Sequence, residues 1–312
     1  MNQTLYDCIV IGAGPGGLSA SLFLARYRLR VLTFHHNSPR NIYSHGVHGF
    51  LGHHNILPTE LLERGRQEVT MHGGLVIEGC VTKVERIADS HFRVTSGGGG
   101  VIEHTFDASR IVLATGLRDL MPDCQGFADF YGASVHHCPD CDGFEVTGKR
   151  VAVLGRGKDT VGFTMKMMTW TDKLTLITNK DAGDMTDEHR TQLRGLGVEI
   201  IEDRSLLRLD GDVENKSLQR IYFDAGEPLE CDALFFNLGT EPVSDLHTML
   251  GCRLDEERGL VWVDDTRQTS VKGVYAAGDL TPHSQLAIVA AAEGAMAAIH
   301  IHKELMPEER QV

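Results

Sequence analysis

The stretch "YDCIVIGAGPGG", Tyr6 to Gly17, decides how the rest of the chain is read. Its apolar residues run without alternation, as they do in a strand buried on both faces of a parallel sheet. The glycines then fall at Gly12, Gly14 and Gly17, in G-x-G-x-x-G spacing, and "GGLSASLFLARYR" follows with helical apolar spacing. Gly12 permits a tight turn, Gly14 lets backbone approach a pyrophosphate, and Gly17 lets the helix pack on the strand. Free N–H groups at the helix start would offer the phosphates a partial positive charge. Together these features predict a dinucleotide-binding turn. One part is missing: the acid expected at the end of the next strand, to hold a ribose, is replaced by "FHHN", with His35 or His36 in its place.

Working outward, "RVLTFHH" reads as the second strand, followed by a Gly- and His-rich loop, "SPRNIYSHGVHGFLGHHN", and a helix, "PTELLERGRQEVTMHG". Antiparallel strands flank "SGGGG" at Ser96 to Gly100, a hairpin tip by composition, and "RIVLATG" is a further parallel-type strand ending at Gly116. The pattern then begins again. "KRVAVLGRGKDTVGFTMKMMTW" repeats strand, glycine turn and helix, "DKLTLITN" repeats the second strand, and "CDALFFNLGTEP" parallels "RIVLATG". "GVYAAGDL" and "QLAIVAAAEGAMAAIHIHKEL" close the chain with a strand and a long helix. The expected fold is α/β, with two Rossmann-like nucleotide-binding domains, the second inserted into the first. The first domain takes residues 1–117 and 244–312 and the inserted one 118–243, with hinges near Leu117 to Asp119 and Thr240 to Val243.

At 312 residues, 42% hydrophobic and 23% charged, the composition is that of a soluble globular chain. A formal charge of −13 argues against a nucleic-acid surface and against docking on anionic lipid. No charged-then-apolar leader precedes the strand run, and Glu293 interrupts the most apolar segment, so the expected location is cytoplasmic, with no membrane span. Seven scattered cysteines do not form a structural disulfide framework. Cys8, Cys80, Cys231 and Cys252 read as small buried hydrophobes beside strands.

Only Cys138 and Cys141 are close in sequence, within "HHCPDCDG". Half a zinc site, an electron-exchanging disulfide and a surface loop are all compatible with that string alone. A tetrahedral zinc site needs four ligands, and no second pair at metal spacing is visible. Recruiting His136 and His137 would crowd every ligand into six residues. At a turn or helix start, by contrast, one thiol of a CxxC has a lowered pKa and the other resolves it. His136 and His137 themselves read as solvated loop histidines, with tuning of the thiolates as the alternative.

"ATG", Ala114 to Gly116, and "AAGD", Ala276 to Asp279, both end strands at the crevice edge. A carboxylate at Asp279 can accept hydrogen bonds from the sugar-alcohol chain of a flavin, and the helix opened by "SQLA" can face negative charge on a reduced ring. With these pieces the chain resembles the low-molecular-weight thioredoxin reductase family. "GAGPGG", "ATG", "CPDCDG", "GRGKDT", "AAGD" and the helix after "SQLA" occur in the family's order over essentially the whole length. The resemblance implies a homodimer binding FAD at Gly12, Gly14, Pro15, Gly17, Asn41, Val81, Thr115, Gly116, Gly278, Asp279, Gln285 and Leu286. It also implies that Cys141 faces the flavin, that Cys138 attacks the partner's disulfide, and that Asp142 is the acid–base residue. The loop carrying Asn41 would then lie beside the flavin ring, with His45 and His48 as weaker candidates there, since glycine-flanked histidines often sit at the surface.

The second glycine turn departs from the family pattern. "GRGKDT" keeps Gly155 and Gly157 but has Thr160 where Ala or Gly lets helix and strand approach, and Asp159 would bring negative charge towards a pyrophosphate. Where NADPH-using members carry a cluster of arginines, this chain reads "TNKDAGD", Thr178 to Asp184, with Lys180 among acids. NADPH is therefore not expected as an efficient donor. The resemblance leaves three readings. One is a reductase of a thioredoxin-like protein fed by another donor such as ferredoxin. Another is an oxygen-dependent dithiol oxidase of the gliotoxin or holomycin type, acting on a small dithiol. The last is a flavin redox sensor.

Overall fold

The computed structural model describes residues 5–98 and 101–310, in two compact units. The first comprises the chain up to Arg40, Gly49–Arg118 and the chain from Pro242 on; the second comprises Asn41–His48 and Asp119–Glu241. The short segment Asn41–His48 belongs with the second unit, which boundaries at 117/118 and 243/244 do not include.

In the first unit a parallel sheet runs Val274–Ala276, Ile111–Leu113, Cys8–Ile11, Val31–His35, Leu75–Glu78. Alternation along Cys8–Ile11 sends Ile9 and Ile11 to one face and Cys8 and Val10 to the other. Both faces are covered, which is why the strand is apolar at every position. Ile9 and Ile11 join Val84, Phe92 and Val94 of a second sheet, ordered Leu5–Tyr6, Val101–Ala108, His91–Gly98, Val81–Ala88, in which the first pair is parallel and the others antiparallel. The expected hairpin tip at Gly99 and Gly100, in "SGGGG", lies outside the described residues. Cys8 and Val10 join Ala20 and Leu24 of the Pro15–Arg26 helix and Ala297, Ala298 and Ile301 of the Ala287–Leu305 helix.

Those two helices touch through glycine. A Cβ at Gly294 would lie 1.9 Å from the Gly16 carbonyl oxygen, so only a hydrogen there allows the approach. Opposite signs are therefore expected for one substitution at two helical sites. Gly162→Ala, in the Gly157–Met167 helix with nothing within 4 Å, should gain up to about 1 kcal/mol of helix propensity. Gly294→Ala should lose about 1–3 kcal/mol through overpacking despite the same propensity gain. Urea unfolding of both variants checks this.

The second unit repeats the plan. Its parallel sheet runs Val135–His136, Ala233–Asn237, Val151–Gly155, Leu174–Ile177, Glu199–Ile201. Ala152, Leu154, Leu234 and Phe236 pack under the antiparallel strands Leu206–Asp212, Ser217–Phe223 and Leu229–Glu230. Val151, Val153, Ala233 and Phe235 meet Val161, Met167 and Leu193 of the helical layer. Among the described residues no helix is long and apolar enough to cross a membrane.

Candidate functional site

In the first unit the glycines of the opening turn divide their work. Gly12 has φ +108°, and a Cβ there would lie 2.1 Å from the Ala114 carbonyl oxygen. A Cβ at Gly17 would lie 1.8 Å from the Gly12 oxygen. Both positions are closed to any side chain. Gly14 is different: nothing stands within 4 Å of its Cβ direction, so the backbone faces open space as an approaching pyrophosphate requires. Pro15 opens the helix, no side chain caps it and no acid stands in its first turn. Its leading N–H groups suit an anion.

The neighbouring strand ends supply the other expected positions. Thr115 carries a buried hydroxyl oxygen with no protein partner, and Gly116 has φ +71° with open space beside it. Val81 starts its strand as a buried residue. Gly278, at φ +80°, donates its N–H to Glu293 Oε2 at 2.7 Å, and the Thr281 hydroxyl donates to the same oxygen at 2.9 Å. The glutamate that breaks the apolar run of the last helix is thus a buried anchor for the turn carrying Asp279. Leu286 caps that helix without a side-chain bond, and Gln285 precedes it.

Arg40 is the residue the sequence reading missed here. Its guanidinium donates to Asp279 Oδ2 at 2.9 Å and to Gln285 Oε1 at 2.6 Å, joining two expected positions to the end of "SPR". His35, standing where the ribose acid was expected, is half-buried; burial and then the Arg66 charge hold its imidazole below the usual range, against Glu78. His36 is exposed. Asn41 is not grouped with these residues: it falls in the second unit.

In the second unit the glycine turn is filled by the chain itself. Gly157 has φ +72°, and a Cβ there would lie 2.5 Å from Asp184 Oδ1. That same oxygen accepts the Lys158 N–H at 2.8 Å, so a carboxylate sits at the start of the Gly157–Met167 helix, the end of a helix that favours an anion. Asp184, exposed like Asp159, thus adds a second negative charge at this turn. Thr160 lies so close that a Cβ at Gly155 would be 2.4 Å from its Oγ1. Lys180 pairs with Asp224 at 2.5 Å and Arg156 with Asp181 at 3.0 Å. Asn179 Oδ1 accepts the Leu206 N–H at 2.6 Å, and Thr178 is buried.

The cysteine motif leaves the edge strand Val135–His136 and turns at once into a short helix, Pro139–Asp142. Cys138 and Cys141 are joined as a disulfide. Cys138 is the N-cap, and its Sγ accepts the Cys141 N–H at 3.1 Å. Asp142 follows with its side chain 14% exposed. Its Oδ1 lies 3.1 Å from His48 Nδ1 and its Oδ2 lies 3.4 Å from His136 Nδ1. Burial opposes ionisation of Asp142, but the His136 bond and the charges of His136, His48 and His137 outweigh it and hold the carboxyl below its usual range.

Two histidine expectations are corrected. His136 is not a solvated loop residue: it is 6% exposed because it occupies the last position of a strand beside Ala233–Asn237 and packs on Phe235. His48 is not a surface residue either, since the Asn41–His48 segment folds into the second unit and delivers it to Asp142. His45 is exposed, and His137 lies half-buried against Tyr131, whose hydroxyl donates to Asp119 at 2.7 Å. Both misreadings share a cause: partners distant in sequence leave no local mark.

Elsewhere, Cys8, Cys231 and Cys252 are buried, and burial pushes each thiol up, that of Cys231 to about 12. Cys80 is exposed, contrary to expectation, because it sits in the turn between Leu75–Glu78 and Val81–Ala88 and not within either strand. Among the described residues no three His, Cys, Asp or Glu side chains are placed to hold a metal ion.

Residues 6–294 match the family described as pyridine nucleotide-disulphide oxidoreductase. The chain belongs to that family. The thioredoxin reductase of Treponema pallidum (strain Nichols) is 29% identical over 304 residues, covering 95% of this chain and 96% of that protein. The crystal structure of HlmI superposes with a TM-score of 0.88 at 33% identity, covering 96% of this chain and 92% of that one. The atypical thioredoxin reductase TRi from Desulfovibrio vulgaris Hildenborough is 30% identical, with a TM-score of 0.51, covering 97% of this chain and 99% of that one. Within the pyridine nucleotide-disulphide oxidoreductases the protein is a flavin-dependent disulfide oxidoreductase of thioredoxin reductase type, and its cofactor is FAD. The first unit fits that cofactor: an open approach at Gly14, an uncapped helix start and the orphaned Thr115 hydroxyl all await polar partners.

Proposed function

We propose that this oxidoreductase exchanges electrons with a dithiol or disulfide through Cys138 and Cys141, with a donor or acceptor other than NADPH. The observation that carries the reading is the Asp184 carboxylate on the Lys158 N–H. A pyrophosphate approaching the second glycine turn would meet that negative charge, and two cations of these segments, Arg156 and Lys180, already have acidic partners. Each charge-assisted bond to a 2′-phosphate contributes about 1.5–3 kcal/mol, so losing several weakens NADPH binding by several powers of ten.

Cys138 is assigned as the sulfur that attacks the partner. The Cys141 N–H bond supports negative charge on it, as helix starts do for reactive thiols. Cys141 is the second sulfur, and Asp142 serves the proton chemistry. FAD, when bound, supplies the two-electron oxidation and reduction. Gly12, Gly14, Pro15 and Gly17 would receive its pyrophosphate, with Thr115, Gly116, Val81, Gly278, Asp279, Gln285 and Leu286 as further contacts and Arg40 holding Asp279 and Gln285 in place. Arg40→Ala and Asp279→Ala should each lose FAD more readily on desalting than an exposed control such as Glu63→Ala, read from the flavin-to-protein absorbance ratio. Retention equal to the control would remove both residues from the cofactor set.

The partner is a thioredoxin-like protein or a small dithiol, and the assembly a cytoplasmic homodimer, by likeness to the family. Stopped-flow flavin reduction by NADPH, NADH, reduced ferredoxin and dithiothreitol separates the directions. Rapid reduction by ferredoxin marks a reductase. Rapid reduction by the dithiol with turnover in air marks a dithiol oxidase using oxygen. Binding of a partner with neither flux marks a sensor.

A further inference from the structure

The carboxylate beside the cysteine pair is enclosed by imidazoles. His48 Nδ1 lies 3.1 Å from Asp142 Oδ1 and 3.1 Å from the Cys141 carbonyl oxygen. Both neighbours can only accept when Asp142 is ionised, so Nδ1 carries a proton and donates to them. That fixes the tautomer and leaves Nε2 as the nitrogen free to take up or release a proton. Nε2 lies 3.8 Å from Glu145 Oε1. On the other side His136 Nδ1 approaches Asp142 Oδ2 at 3.4 Å from a buried strand position.

We propose that Asp142 is the fixed carboxylate of a His48–Asp142–His136 relay, and that His48 holds the proton exchanged when the Cys138–Cys141 bond opens and closes. This rests on the redox reading of the cysteine pair. An ionised carboxylate orients an imidazole and stabilises its charged form, as in other carboxylate–histidine arrangements, without itself giving up a proton. Burial alone would favour a protonated Asp142; the imidazoles reverse that preference. His48 acts as a positioning and proton-holding residue, because its contacts are with Asp142 and the Cys141 backbone and not with sulfur.

The exchange balances without any further reagent. One thiolate of a dithiol attacks Cys138 Sγ; the new S–S bond forms as the bond to Cys141 breaks. Cys141 leaves as a thiolate and is protonated by way of solvent at the expense of the His48 imidazolium, whose Nε2 stands on the Glu145 side. The second thiol of the same dithiol then loses its proton to neutral His48 and displaces Cys138 as a thiolate. The dithiol ends as a disulfide, the cysteine pair is reduced, and His48 is again protonated. The charged groups around the relay are His137, which acts on Asp142 by charge, and Glu145 at the Nε2 side. Asp140, next to the pair, is tied to Lys166 at 2.6 Å.

The test is the rate at which dithiothreitol opens the Cys138–Cys141 disulfide in the purified holoprotein from pH 5.5 to 9. Rapid alkylation and mass spectrometry give the rate, which is divided by the fraction of dithiothreitol present as thiolate. The normalised rate should fall by about 10- to 100-fold as pH rises across this range, in keeping with general acid catalysis. His48→Gln should flatten the profile at its high-pH level. Asp142→Asn should keep a step, displaced to lower pH, because the imidazolium loses its counter-ion. A step that survives His48→Gln and vanishes in Asp142→Asn would make Asp142 the donor and overturn the proposal. Should His48→Gln fold poorly, imidazole nitrogen NMR of the native protein reads the same point. Nδ1 must stay protonated while Nε2 titrates, and a titrating Nδ1 overturns the relay. A disulfide that dithiothreitol cannot open at any pH would bring down the redox reading itself, and the relay with it.

Discussion

Mixed anaerobically with millimolar NADPH, the native protein should keep its flavin oxidised for far longer than an ordinary turnover, which takes place at about ten per second. Two separate features produce this. The Asp184 carboxylate already satisfies the Lys158 N–H at the helix start, and Lys180 is held by Asp224. They can be separated by mutation. Asp184→Gly removes the internal carboxylate and should raise NADPH affinity tenfold or more while lowering stability by about 1 kcal/mol through the lost helix-start bond. Adding Lys180→Arg should help further by offering a planar fork to the 2′-phosphate. Asn179 is a poor place for a third cation, because its side chain carries the Leu206 N–H and replacing it breaks that bond. Stopped-flow traces at 450 nm with NADPH concentration varied would check all three proteins. Fast, saturable reduction of the native flavin would show that the nucleotide displaces Asp184 readily and that the protein uses NADPH after all.

The second large effect concerns the two sulfurs. Cys141→Ser should leave Cys138 able to capture a partner as a stable mixed disulfide, since the supporting bond to Cys138 comes from backbone and survives the substitution. Cys138→Ser should capture little. Dithiol-dependent flux should fall by about a thousandfold or more in either variant, because each half of the exchange needs its own sulfur. Intact-protein mass spectrometry after exposure to an aromatic disulfide reads the trapping directly. Equal adducts on both variants would reverse or erase the assignment of roles.

Much of the fold was legible because its signals are local. Cys8–Ile11 and Val151–Gly155 are apolar at every position since helices cover one face and a second sheet the other. The turns that follow need glycine for reasons that lie within a few residues, as the 1.8 Å approach at Gly17 shows. The cysteine pair was equally plain. What escaped were groups defined by distant partners. Arg40 meets Asp279 across 239 positions of sequence, and His48 meets Asp142 across 94. Neither spacing has a period. The acids of "TNKDAGD" were visible as missing cations, but the role of Asp184 as a helix-start acceptor depends on how the segment folds back.

That internal acceptor also changes what holds the second unit together. In a unit whose helix start is completed by a ligand, stability rises with supply, by about 2.7 kcal/mol when the ligand stands at a hundred times its dissociation constant. Here the acceptor is covalently part of the chain, so its local concentration never falls and no cellular pool sets it. Thermal unfolding of the second unit should not follow the amount of reduced nicotinamide nucleotide around it. A cell starved of reducing equivalents would find this unit as firmly folded as a well-fed one.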